Sequence, residues 1–267
     1  MPLRQAQGRL PALWSTSGAT LARMHPVLQS VAHRPWPLPG GPWVMEQKWH
    51  DLLFAHWPVP VAAMRGLVPR QLELDLYDGV CWVGVVPFWT SGVRGRGTPA
   101  LPGVSRFAEL NVRTYVTLGG KPGVYFFSLD AASRLAVRAA RAFYHLPYFF
   151  ADMKVVSEGE QVFYSSARDR NAEFRGRYGP IGPVVLRDPG TLEYWLTERY
   201  CLYTVHRGKV WRGEIHHAPW PLQDACAEIE LNTMAGAAGI ELPNSKPVLH
   251  FSRYQDVLIW MLSRVNG

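Results

Sequence analysis

The stretch ELNVRTY at residues 109–115 holds the residue types best suited to chemistry. Side chains alternate along a strand, so Glu109, Asn111, Arg113 and Tyr115 share one face while Leu110, Val112 and Thr114 share the other. A carboxylate two positions from an amide and four from a guanidinium would orient a small polar ligand through charge-assisted hydrogen bonds. Two placements satisfy the pattern. Either the polar face looks into solvent across an ordinary sheet, or it lines an internal cavity while the apolar face packs outward. Lys121 follows in the turn GGKPG. A turn lysine is ordinarily solvated. Folded over a pocket mouth, with burial lowering its pKa, it would instead be an amine able to form a Schiff base with a carbonyl compound.

The histidines offer less. His216 and His217 are adjacent on an expected strand, point to opposite faces, and so do not ligate one metal together. Glu214 and His216 do share a face, and His56 would be a third ligand, but no HxH or HExxH spacing supports such a site. No metal is expected. His145 sits where a histidine interacts favourably with a helix C-terminus. GxSxG, a P-loop and GxGxxG after a strand are all missing from the sequence, so neither a nucleophile elbow nor a nucleotide cofactor is expected.

Bulk properties narrow the classes further. Hydrophobic residues make up 48% of the 267 and charged ones 18%, which is enough apolar material for a large globular core. The net charge of +7 is carried by scattered arginines, with no run longer than RGR at 94–96 or 175–177. A nucleic-acid partner is not expected, because the usual clustered basic stripe is missing. No run approaches eighteen apolar residues, so a membrane-spanning helix is not expected either. Cys81, Cys201 and Cys226 form no CxxC pair and read as reduced thiols of a cytoplasmic protein.

The elements that must position these residues are mostly strands. The periodicity predicts a strand over FAHWPVP (54–60), a short helix over 61–69, and a strand pair 72–88 turning at Asp78-Gly79. Hairpins follow over 109–130, around GGKPG, over 148–167, turning at Glu158-Gly159, and over 202–217, near Arg207-Gly208. Residues 131–145 form the clearest helix. Ala132, Leu135, Ala136, Ala139, Ala140 and Phe143 recur at three- and four-residue spacing opposite Arg134, Arg138, Arg141 and His145, with Asp130 placed as N-cap. A second helix is expected over 192–199, capped by Thr191, and a closing strand over 249–262. Residues 222–242 read both as strand and as helical turn. The outcome is one β-rich α+β domain over 33–267 with two or three helices. Residues 1–32 read as a flexible or misassigned extension, Met24 being an alternative start to Met1, and HRPWPLPGGPW (33–43) as an extended arm.

The motifs FAHWPVP, ELNVRTYV, GKPGVYFFSLDA, HLPYFFA, ERYCLYT and GEIHHAPWPLQ together resemble the YqjF-like family, over about residues 33–262. The resemblance implies an acetoacetate-decarboxylase-like fold: a closed, cone-shaped β-barrel with flanking helices and a central cavity. It thereby favours the cavity placement of the Glu109 strand. Decarboxylases of that fold share Gly-Arg-Glu, four residues, then Pro-Lys-Lys, whose first lysine forms the Schiff base while the second lowers its pKa. Here Arg141 and Pro147 keep the spacing, but Tyr148 and Phe149 stand at the lysine positions and Ala142 at the glutamate. Tyrosine forms no imine, so the parent reaction is disfavoured. The resemblance leaves two readings. In one, the cavity binds a small anionic or carbonyl-bearing molecule through Glu109, Asn111, Arg113, Tyr115 and Tyr148. In the other, an enzyme acts on a keto acid through Tyr148, Lys121 or Glu109. Neither requires a cofactor, a membrane or a nucleic acid, and a homo-oligomer is compatible with both.

Overall fold

The computed structural model describes residues 25–101, 105–169 and 171–265. The first elements are β1 (Met45–Val59), α1 (Val61–Arg65), β2 (Glu73–Leu74), β3 (Cys81–Gly95), β4 (Phe107–Leu118) and β5 (Lys121–Ala131). Next come α2 (Arg134–Tyr144), β6 (Tyr148–Phe150), β7 (Asp152–Glu158), β8 (Gln161–Asp169), β9 (Ala172–Val185) and α3 (Leu192–Thr197). The chain closes with β10 (Cys201–His206), β11 (Lys209–His216), β12 (Leu222–Asn232), β13 (Val248–Ile259) and β14 (Ser263–Val265). All strands belong to one sheet, ordered β14-β11-β10-β5-β4-β3-β1-β13-β12-β9-β8-β7, with β2 added to β4 and β6 to β5. Strand β11 also pairs with β13, through Ile215↔Ile259 and His216↔Leu258. The pairings from β11 through β10, β5, β4, β3, β1 and β13 therefore return to β11.

This path explains why so many strands are apolar on both faces. Leu53, Ala55 and Trp57 of β1 and Leu110, Val112 and Val116 of β4 join one core. Tyr164, Phe174 and Tyr178 of the β8–β9 arm complete it. Leu52 and Phe54 of β1, Val86 and Phe88 of β3, and Trp220 cluster on the opposite side. A strand so enclosed reads as a continuous apolar run, as LLFAHW does, rather than as an alternation. Asp51, at φ 52°, marks the irregularity where β1 shifts register against β3 between His50 and Ala55.

Several expectations need correction. Asp78-Gly79 does form a turn, with both residues at positive φ, but the short strand before it pairs with β4 rather than β3. Ser133, not Asp130, caps α2, accepting from the Ala136 amide at 3.3 Å. Asp130 instead lies within β5, one residue before its end and fully buried. The helix stops at Tyr144 because His145 turns to the left-handed region, at φ 50°. Residues 148–158 are two strands, since β6 runs parallel to β5 before β7 pairs with β8. Strand β9, whose first half alternates as AEFRGRY, is not among the expected elements. Gly176 is needed there, because a Cβ would lie 2.7 Å from the Glu228 carbonyl of β12. The ambiguous 222–242 segment resolves into β12 and a 3-10 turn at Gly236–Ala238.

Residues 1–24, most of the expected N-terminal extension, lie outside the described residues. From His25 the chain already touches the domain: His216 Nε2 meets the Val27 carbonyl at 2.9 Å, and Arg34 donates to the Ile215 carbonyl at 2.7 Å.

Candidate functional site

One face of β4 borders a cavity of about 520 Å³, lined in part by Glu109, Asn111 and Arg113. The partners are set by register: Glu109 lies opposite Phe88 and Ala131, Asn111 opposite Val86 and Leu129, and Arg113 opposite Gly84 and Phe126. Aromatic and aliphatic side chains make up most of the remaining wall, among them Trp49, Phe54, Phe88, Phe126, Leu129 and Trp220. A largely apolar cavity with a few converging polar groups is the usual form of a small-molecule site.

Tyr148 reaches the cavity from β6. Arg141 of α2 holds the Tyr148 carbonyl at 2.6 Å, and the parallel pairing with Leu129 fixes the strand. Its hydroxyl donates to Glu109 Oε2 at 3.1 Å. Burial raises the Glu109 carboxyl to about 8, against a smaller opposing effect of the Tyr148 hydrogen bond. Burial and the neighbouring Glu109 push Tyr148 well above its ordinary value. Near neutral pH the pair is thus an uncharged acid and phenol facing the cavity.

Arg113 has the opposite character. Its Nη2 donates to the Leu196 carbonyl at 3.3 Å, and its Nε is buried without a partner. No carboxylate lies within ion-pair distance of it among the described residues. The Asn111 carbonyl oxygen is also buried and unpartnered. Nearby Arg199 lines the cavity but is neutralised by Asp75 at 2.5 Å. With Glu109 protonated, Arg113 is the cavity's uncompensated charge among the described residues.

Two of the sequence candidates do not border the cavity. Tyr115 shares the β4 face but lies beyond Arg113, where its hydroxyl donates to the Leu196 carbonyl at 2.7 Å and meets His56 Nε2 at 2.7 Å. It belongs to the packing around Val124 and Leu196. Burial pushes His56 well below its usual range, with Arg113 acting the same way, so this ring is neutral. Lys121 is neither a solvated turn residue nor a pocket amine. It begins β5, is 9% exposed, and donates to both Glu214 oxygens at 2.7 and 2.9 Å. Arg212 Nε and Arg34 Nη2 approach the same carboxylate at 2.8 and 3.8 Å. Glu214 is thereby committed to three cations. His216 and His217 are both buried, each with a ring nitrogen at a backbone carbonyl. No group of three metal-ligating side chains occurs among the described residues.

Sequence reasoning missed Arg199, His217 and the aromatic walls, all of which line the cavity. It also missed the role of the α2 stripe. Leu135, Ala136, Ala139, Ala140 and Phe143 border the cavity, and Leu135 and Phe143 remain 59% and 63% exposed. The periodicity marked this face, but periodicity reports an apolar face and not what it covers.

A β-rich fold with few helices is shared with acetoacetate-decarboxylase-like structures. The crystal structure of acetoacetate decarboxylase from Legionella pneumophila superposes with a TM-score of 0.63 at 11% identity, over 91% of this chain and 97% of that one. The enduracididine biosynthesis enzyme MppR complexed with pyruvate superposes at 0.58 and 10% identity, over 88% and 93%. More specifically, residues 46–256 match DUF2071, a family described as "Uncharacterized conserved protein", and the chain belongs to that family. It is 52% identical over 229 residues to the uncharacterized protein YqjF of Bacillus subtilis (strain 168), covering 85% of this chain and 95% of that protein. Among the described residues no helix is long and apolar enough to cross a membrane.

Proposed function

We propose that the returning strand path is a closed, cone-shaped barrel whose cavity binds a small carboxylate-bearing molecule without Schiff-base chemistry. The observation that carries this reading is Arg113, a guanidinium in the cavity wall with a buried, unpartnered Nε and, among the described residues, no carboxylate within ion-pair distance. A bound carboxylate would satisfy it, with the Asn111 amide as second contact. The case against an imine is chemical. None of the five lysines lines the cavity, and Lys121 is tied to Glu214. The likeness to MppR complexed with pyruvate makes keto acids the natural first ligands to try.

Calorimetry with a panel of carboxylates and keto acids tests the proposal. Arg113→Gln should weaken the best ligand at least tenfold while shifting stability by less than about 1 kcal/mol. Equal losses in binding and stability would make Arg113 a structural group. Borohydride with keto acids should leave no adduct, and a trapped amine would overturn the non-imine reading. A second reading rests on Glu109, whose carboxyl keeps its proton up to about 8 beside Tyr148. Such a group would act as general acid toward a bound carbonyl. Turnover of a keto acid lost in Glu109→Gln but binding retained would establish it.

A further inference from the structure

The cavity is larger than a small keto acid needs. At about 30 Å³ for each water-sized atom, 520 Å³ holds on the order of 17 such atoms, and a three-carbon acid would fill about a third of it. Glu109, Asn111 and Arg113 set a carboxyl, an amide and a guanidinium in a row along one strand, while Gln47, Arg94, Thr98, Thr197, Arg199 and His217 are spread over other parts of the wall. Beside them on β5 are Phe126 and Leu129, which offer water no hydrogen bonds, and the Trp49 indole N–H is already committed to Gln47.

The depth is ordered along β4. The polar run along the cavity stops at Arg113, since Tyr115 beyond it is 1% exposed and donates to the Leu196 carbonyl. Six residues before Arg113, about 20 Å along the strand, half-buried Phe107 marks the other end. The open border carries Leu135, Phe143 and Met261, all at least 50% exposed. Large apolar side chains left in water at the border of an apolar cavity mark a binding surface. On α2, Val137 alone is buried, so the apolar stripe has no protein core to serve.

We infer that the ligand is an amphipathic monocarboxylate: an acid head at Arg113 and Asn111, and an unbranched apolar tail running past Phe126 and Leu129 to Leu135, Phe143 and Met261. This rests on the reading of Arg113 as the anion site and adds the chemical class of the molecule. The head is selected by charge and the tail by buried area. Glu109 and Tyr148, uncharged near neutral pH, leave the passage between them free of a competing anion.

The test is calorimetry near pH 7 with straight-chain saturated acids from butanoate to dodecanoate, and with the matching alcohols, each below its micellar concentration. For wild type, Kd should tighten about three- to four-fold per added methylene until the tail passes the border. The double variant Leu135→Ser/Phe143→Ser changes only exposed side chains. It should match wild type for butanoate and lose at least tenfold for dodecanoate. Alcohols should bind at least tenfold more weakly than acids of equal length, and Arg113→Gln should remove that difference. A Kd independent of length, with Arg113→Gln still weakening short acids, would overturn the amphiphile while sparing the anion site. No binding by any acid would overturn both. Alcohols binding as tightly as acids, or a double variant weakened equally for every length, would also overturn the inference.

Discussion

Replacing Glu109 by glutamine isolates the effect of holding a carboxyl group in the cavity wall. Burial raises this group from 4.5 to about 8. Below pH 4.5 both folded and unfolded chains carry the proton. Between 4.5 and about 8 the unfolded chain has released it and the folded chain has not. The folded state then binds more protons, so stability falls as pH rises through that window and levels off above it. At ~1.4 kcal/mol per pH unit the fall reaches up to about 5 kcal/mol across the window. Glutamine has the same shape and can still accept from Tyr148, but it has no proton to lose. Urea unfolding followed by the fluorescence of the 11 tryptophans, at intervals from pH 5 to 9, measures the difference directly. With a slope of ~2–3 kcal/mol per molar urea, the two midpoints should separate by up to about 2 M as pH rises. The variant should be the more stable above pH 8. Midpoints that stay parallel across the range would mean Glu109 is ionised when folded, and the neutral acid beside Tyr148 would be refuted.

Lys121→Met should destabilise the fold by roughly 3 kcal/mol, because it leaves Glu214 buried with poorer partners. Carboxylate binding to the variant at a temperature where it is folded should be unchanged, and lost binding would bring Lys121 back to the site. Gly123→Ala should cost about 2 kcal/mol or more in thermal or urea unfolding, since its Cβ would lie 2.8 Å from the Cys201 carbonyl where β5 runs beside β10. A neutral result would mean that this parallel contact is looser than the register indicates.

The strand content and the polar face of β4 are legible in the sequence because alternation is a local property. Glu109, Asn111 and Arg113 needed no partner to be picked out, and the cap of α3 at Thr191 is equally local, its hydroxyl accepting from the Tyr194 amide. What could not be read depends on distant chain. Lys121 looks like a turn residue until Glu214, 93 positions away, lies against it. Strand β9 is not among the expected elements, and its Gly176 answers to the backbone of β12 rather than to its own neighbours. Tyr148 was marked only by the family spacing, and its partner Glu109 lies 39 residues back.

The meeting of β11 with β13 is two residue pairs long, against ten for β1 with β3. One of its backbone bonds runs from the Trp260 amide to the Glu214 carbonyl at 2.9 Å. Ile215 and Ile259, facing each other across this junction, both line the cavity. An occupant touching both would act as a clasp, fastening one of the two shortest joins in the circuit from within. Deuterium uptake at the Trp260 amide would then report occupancy without any label on the ligand, slowing when the cavity is filled while amides in the long β1–β3 pairing keep their rates.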